Sequence, residues 1–135
     1  MHWIGQGCSK LDLFLTLNFP NRQLSSSRHA EEYIDEVINY CLQNIDKKIK
    51  VTDISDYLGL NRSYLTRLFK QHVGYSLKDY ILFLKLDEAK RLLKETSLSI
   101  QTIARSVGFD DPLYFSRIFH QKEGITAKEY RNMNS

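Results

Sequence analysis

Two stretches decide how this chain is read: YLTRLFKQHVG at 64–74 and YFSRIFHQKEG at 114–124. Tyr, Arg, an aliphatic residue, Phe, Gln and a closing Gly recur at the same offsets, fifty residues apart in a chain of 135. Such a recurrence implies one structural unit used twice. The match extends outward, setting Ile54 on Ile103, Gly59 on Gly108 and Leu60 on Phe109. After one inserted residue it continues with Leu65 on Phe115, Arg67 on Arg117, Phe69 on Phe119 and Gly74 on Gly124. Each copy reads as a short helix, a Gly-containing turn of about four residues and a second helix, the helix-turn-helix pattern.

The flanking sequence supplies starts and stops for these helices. AEEYIDEVINYCLQNIDKK at 30–48 sets Tyr33, Ile34, Val37, Ile38, Cys41 and Ile45 on one face, with acids in the first turn and lysines at its expected end. Thr52 is the expected N-cap of the next helix, which carries Ile54, Tyr57 and Leu58 and stops at Gly59. Asn61 caps the third helix and Gly74 ends it, and Ser76 with Asp79 starts a long helix through about Glu95. In the second copy Ser99 caps IQTIARSV and Gly108 stops it. Asp111 then caps a helix with Pro112 at its first position, Gly124 ends that helix, and Thr126 with Glu129 forms a capping box for a last short one. With only 6 Gly and 2 Pro, the chain is expected to be all-α: about seven helices, as two helix-turn-helix subdomains joined by a long linker helix.

Residues 1–27 differ in character. LDLFLTLNF at 11–19 alternates with period two and reads as a strand, and PNRQLSSSR reads as a linker. A lone strand cannot bury itself. Residues 1–27 are therefore expected to be a leader or the remnant of an upstream domain, and 28–135 the double helix-turn-helix domain. The longest apolar run is too short to span a bilayer and lacks the flanks of a signal peptide, so the expected setting is cytoplasmic with no membrane partner.

Composition narrows the function. A hydrophobic content of 42% is enough for a core. The net charge of +3 is unevenly spread: −3 over 28–59, +4 over 60–95 and +1 over 96–135. Basic charge gathers on the first copy and the stretch after it, which is compatible with a polyanion partner, although so small a bias is most often an ordinary solvated surface. Cys8 and Cys41 have no metal or redox spacing, and His2, His29, His72 and His120 form no ligand set. No nucleophile–base set, phosphate-binding Gly loop or paired acids stand in a recognised catalytic context, so neither an enzyme nor a cofactor is expected.

The second helix of each unit must pack one face and present the other to a DNA major groove. In the first copy Leu65, Leu68 and Phe69 take the packing face, leaving Arg62, Ser63, Thr66, Arg67 and Lys70 as an outward stripe rich in donors. Arg62 and Arg67 suit bidentate pairing with guanine, Ser63 and Thr66 suit bases or phosphates, and Lys70 suits phosphate. In the second copy the stripe is Pro112, Leu113, Ser116, Arg117 and His120. Arg117 is its one obvious reader and Leu113 suits a thymine methyl, so this half is expected to add less affinity. Exposed basic residues are ordinarily just solvated, and a helical protein-interaction module is the rival reading. Two units with Arg at the matching position favour DNA. The linker helix explains the offset of fifty, since about twenty residues of helix span ~30 Å and successive major grooves lie ~34 Å apart. Tyr80, Ile81, Leu84, Leu92 and Leu93 are expected to pack that helix, with Lys78, Lys85, Lys90, Arg91 and Lys94 exposed.

GFDDPLYFSRIFHQKEGITAKEYR at 108–131 resembles the C-terminal signature of the AraC/XylS family of bacterial transcription regulators, and DISDYLGLNRSYLTRLFKQHVGYSLKDYI resembles its first helix-turn-helix and linker helix. The resemblance covers roughly 29–131, with Ala127 where the family typically has Pro. It implies two helix-turn-helix subdomains that bind double-stranded promoter DNA, often activating transcription by contacting RNA polymerase. It also implies that any small-molecule effector acts through an upstream domain, commonly a β-barrel.

Overall fold

The computed structural model describes residues 28–134, which form seven α-helices and, among the described residues, no strand. These are α1 (Arg28–Gln43), α2 (Val51–Leu58), α3 (Arg62–Val73), α4 (Leu77–Glu95), α5 (Ile100–Ser106), α6 (Pro112–Glu123) and α7 (Ala127–Met133). The expected all-α architecture is the one found. The strand and linker expected within 1–27 lie outside the described residues.

Most of the expected caps are made. Asn61 accepts from the Tyr64 N–H at 3.1 Å, Ser76 from Asp79 at 3.1 Å, Ser99 from Thr102 at 3.1 Å and Asp111 from Leu113 at 3.0 Å. Thr126 and Glu129 exchange both bonds of a capping box, at 3.1 and 2.9 Å.

Several expectations fail, each for a local reason. The N-cap of α2 is Lys50, not Thr52. The Asp53 carboxylate accepts the Lys50 N–H at 3.2 Å and starts the helix earlier, leaving Thr52 inside it. Helix α1 stops at Gln43, because the Asn44 side-chain amide donates to the Tyr40 carbonyl at 2.8 Å and the chain turns there. Lys47 and Lys48 therefore lie in the connection beyond the helix. Tyr57 is 65% exposed, with its ring 5.1 Å from that of Tyr40.

The two turns share a design. In the first, the Gly59 N–H donates to Asp56 and the Leu60 N–H to Ser55; in the second, Gly108 donates to Arg105 and Phe109 to Ala104. Both glycines have positive φ, +70° and +86°, which satisfies the last carbonyls of the preceding helix without a Cβ penalty. Leu60 and Phe109 then fold inward onto the cores.

There are two cores. The first gathers Ile34, Val37, Ile38 and Cys41 of α1, Ile54 of α2, Leu65, Phe69 and Val73 of α3, and Leu77, Tyr80, Ile81 and Leu84 of α4. The second gathers Leu86, Ala89 and Leu93 of α4 with Ile103, Ala104, Val107, Phe109, Phe115, Phe119 and Ala127. Rings carry much of the second: Phe109, Phe115, Phe119 and Tyr130 follow one another at centroid separations of 5.3, 5.8 and 6.0 Å. One helix, α4, thus serves both units. Leu92 is only partly buried against the second core.

Two of the lysines expected in solvent on α4 are not there. Lys85 is buried at 6% exposure. Lys90 is partly buried and pairs with Glu123 of α6 at 3.1 Å. Arg91 does stay at the surface, held by Glu88 and Glu95 at 2.7 and 3.0 Å.

Candidate nucleic-acid interface

The five residues of the first stripe come together. Leu65, Leu68 and Phe69 bury the inner face of α3, so Arg62, Ser63, Thr66, Arg67 and Lys70 are all exposed on the other. With Ser76, the N-cap of α4, they line one open surface hollow. Three cationic side chains and three hydroxyls thus converge on one solvent-facing concavity. Among these groups the Thr66 hydroxyl already donates to the Arg62 carbonyl at 2.9 Å, so it is left as an acceptor.

The second stripe is placed as expected but differs chemically. Leu113 is 76% exposed, and Ser116, Arg117 and His120 are exposed beside it, while Pro112 at the start of α6 is half-buried. The Glu129 carboxyl is held below the usual carboxylate range, first by the Thr126 backbone and hydroxyl and also by nearby His120. An acid close to this stripe further weakens its field for an anion. The α3 stripe carries three cationic side chains, Arg62, Arg67 and Lys70, and the α6 stripe carries Arg117.

Sequence reasoning missed a pair of aromatic residues. The Arg67 guanidinium lies over the Tyr64 ring at 5.8 Å, and Arg117 lies over Tyr114 at 6.0 Å. Each ring is nearly half exposed, so the contact restrains the Arg at the surface without removing it from solvent. The signal was present in the opening stretches, where Tyr recurs three residues before Arg in both copies. The missed role of Ser76 follows from its place at the end of the turn after α3.

Each reading helix is anchored to α4, whose 19 residues span ~28 Å. Among the described residues no three or more His, Cys, Asp or Glu side chains group to hold a metal, and no helix is long and apolar enough to cross a membrane.

Two exposed reading helices on two helix-turn-helix units, held by one shared helix, define a double helix-turn-helix DNA-binding domain. Residues 54–133 match the family model described as a helix-turn-helix domain. The chain belongs to the AraC/XylS family of DNA-binding transcription regulators. It is 38% identical over 103 residues to the lactose operon transcription activator of Staphylococcus xylosus, covering 76% of this chain and 37% of that protein. To the arabinose operon regulatory protein of Escherichia coli it is 30% identical over 137 residues, covering 94% and 47%. The chain spans less than half the length of these relatives. Among solved structures, an AraC-type regulator from Chromobacterium violaceum superposes with a TM-score of 0.73 at 32% identity, over 81% of this chain and 97% of that one. The DNA-binding domain of AdpA, solved with a target DNA, shares the fold with a TM-score of 0.71 at 21% identity, over 74% and 90%.

Proposed function

We propose that this domain reads two successive major grooves of promoter DNA, with α3 as the dominant reader and α6 as the weaker one. One observation carries the proposal: Arg62, Ser63, Thr66, Arg67 and Lys70 converge on one exposed hollow of α3, while Arg117 repeats Arg67 on a second unit built on the same helix. Arg67 and Arg62 act as guanine readers and Lys70 as a phosphate contact, with Ser63 at a base or phosphate oxygen and Thr66, as an acceptor, at a base amine. Leu113, Ser116, Arg117 and His120 form the second contact set. The ~28 Å of α4 is close to the ~34 Å between successive grooves.

Activation, through contact with RNA polymerase, is the output we assign; similarity to a lactose operon activator supports it. The reading places the protein in the cytoplasm beside its promoter, gives it no catalytic step, and puts effector sensing outside the double helix-turn-helix domain. The test is selection from random duplex DNA on the purified chain at about 150 mM salt. Two enriched blocks about ten base pairs apart are expected. Neutralisation of about six phosphates is also expected to give a log–log salt slope of about −5. Weak, salt-insensitive binding with no enriched sequence would instead identify a protein-interaction module.

A further inference from the structure

The buried apolar residues of α4 divide between the two cores. Tyr80, Ile81 and Leu84 belong to the first, Leu86, Ala89 and Leu93 to the second, and no buried residue belongs to both. Packing within each core fixes each unit internally. The shared helix α4 sets the gross separation of the units, and contacts between them beside that helix restrain the remaining freedom of angle.

Lys85 stands at the changeover. Its ammonium has three donors, and it donates to the carbonyls of Ile45 at 2.8 Å, of Lys47, and of Val107 at 3.0 Å. Ile45 and Lys47 lie in the α1–α2 connection of the first unit, and Val107 lies at the end of α5 in the second. A buried cation is tolerated only when its donors are matched, and here all three are. Gly108 keeps the approach close: a Cβ there would lie 2.5 Å from the Lys85 Nζ and 2.6 Å from the Lys47 oxygen. An exposed Lys48–Asp110 pair at 3.7 Å crosses the same junction, where solvent screening leaves it little strength.

We propose that Lys85 is a positioning residue for two-groove recognition: one ammonium, shared between the first unit's α1–α2 connection and the second unit's α5 end, restrains the angle of α3 relative to α6 on the α4 that joins them. Its effect on DNA rests on the two-groove reading above; its effect on the distance between the units does not.

The test uses the full chain with Cys8→Ser, and nitroxide labels at Gln71→Cys and Gln121→Cys, both exposed positions on α3 and α6. Cys41 is fully buried and its thiol is pushed up to about 12, so it stays unlabelled. Pulsed-EPR distances are expected to be narrow with Lys85 and near that width in Lys85→Arg, which keeps a cation and its donors. Lys85→Met, checked as folded by circular dichroism, is expected to broaden the distribution. A Lys85→Met distribution as narrow as the parent's overturns the proposal.

Binding supplies the second readout, with the two-block duplex from the selection and a version whose spacing is changed by one base pair. The parent is expected to lose about tenfold on the altered spacing and Lys85→Met less than about threefold, because a loosened pair of readers tolerates both spacings. Equal losses in the two proteins overturn the role in recognition. If no two-block duplex is enriched, the two-groove reading fails and the EPR result alone decides Lys85.

If Lys85→Met does not fold, the labelled parent is compared at about pH 7 and about pH 9.5. Burial pulls the Lys85 amine down to about 8, so it loses its proton between these conditions and with it one of three donors. Cys41 of α1 and Asp46 of the α1–α2 connection face it, and the exposed Lys48–Asp110 pair lies at the same junction. Cys41, pushed up to about 12, keeps its proton throughout. Broadening at the higher pH is expected, and an unchanged distribution overturns the proposal.

Discussion

The Arg67 guanidinium lies 5.8 Å from the centre of the Tyr64 ring, one turn back on α3. The ring's negative face holds the cation over the helix surface, so less side-chain freedom would be lost in the base contact proposed for it. Arg67→Ala is expected to cost about 1–3 kcal/mol on the selected site and to relax base choice at one position. Equal weakening on random duplex would make Arg67 a phosphate contact. Tyr64→Leu removes the ring and keeps the Arg, and a smaller loss with base choice retained is expected, measured by titration of the same duplexes.

Leu68→Ala tests the buried face of the same helix. Leu68 is 6% exposed but lies outside the first core cluster, whereas Phe69 is fully buried within it against Tyr80 at 5.3 Å. Truncation of Leu68 is expected to cost about 2 kcal/mol, the low end for buried Leu, and Phe69→Ala about 3–5 kcal/mol. Urea melts give both values. Specificity in the selection should be unchanged by Leu68→Ala, and a melt identical to the parent's would mean that the face is misassigned.

The periodic and turn signals carried most of the fold. Gly59, Gly108, Asn61 and Asp111 are local devices, and their geometry follows from their own chemistry. The stripe on α3 was legible for the same reason, because a helix that buries Leu65, Leu68 and Phe69 has its opposite face fixed. Lys85 was not legible. On the helical wheel it reads as one more surface lysine of α4, and its burial depends on carbonyls 38, 40 and 22 residues away. Tyr57 and the start of α2 failed differently, since there Tyr40 and Asp53 outweighed the simplest reading of apolar spacing and Thr capping.

The caps of the two reading helices offer a matched comparison. Asn61 accepts from the third residue of its helix at 3.1 Å, and Asp111 from the second at 3.0 Å ahead of Pro112. Asn61→Ala and Asp111→Ala are each expected to lower stability by about 1 kcal/mol, read from urea midpoints. Binding should respond differently. Asp111→Ala removes a negative charge at the start of α6, the helix that carries Arg117, so affinity for DNA at low salt should rise relative to Asn61→Ala. A fall at matched folded fraction would place Asp111 in a direct contact with DNA.

Lys85 also predicts how stability depends on pH. Burial lowers its pKa from the ordinary 10.5 to about 8, while Asp46 pulls it back upward. Between these values the folded protein has released the proton and the unfolded chain still holds it. The unfolded state then binds more protons, so the contribution from this residue rises with pH across that window. Lys85→Met has no such proton, and the difference in Tm between the parent and this variant should therefore grow in the parent's favour from about pH 7.5 to about pH 10. Raised pKa values of Cys41, Tyr40 and Tyr80 act oppositely at alkaline pH, but they are present in both proteins and largely cancel in the difference. A difference that shrinks with rising pH would mean that the three carbonyls hold the proton more tightly than water does, outweighing the cost of burial.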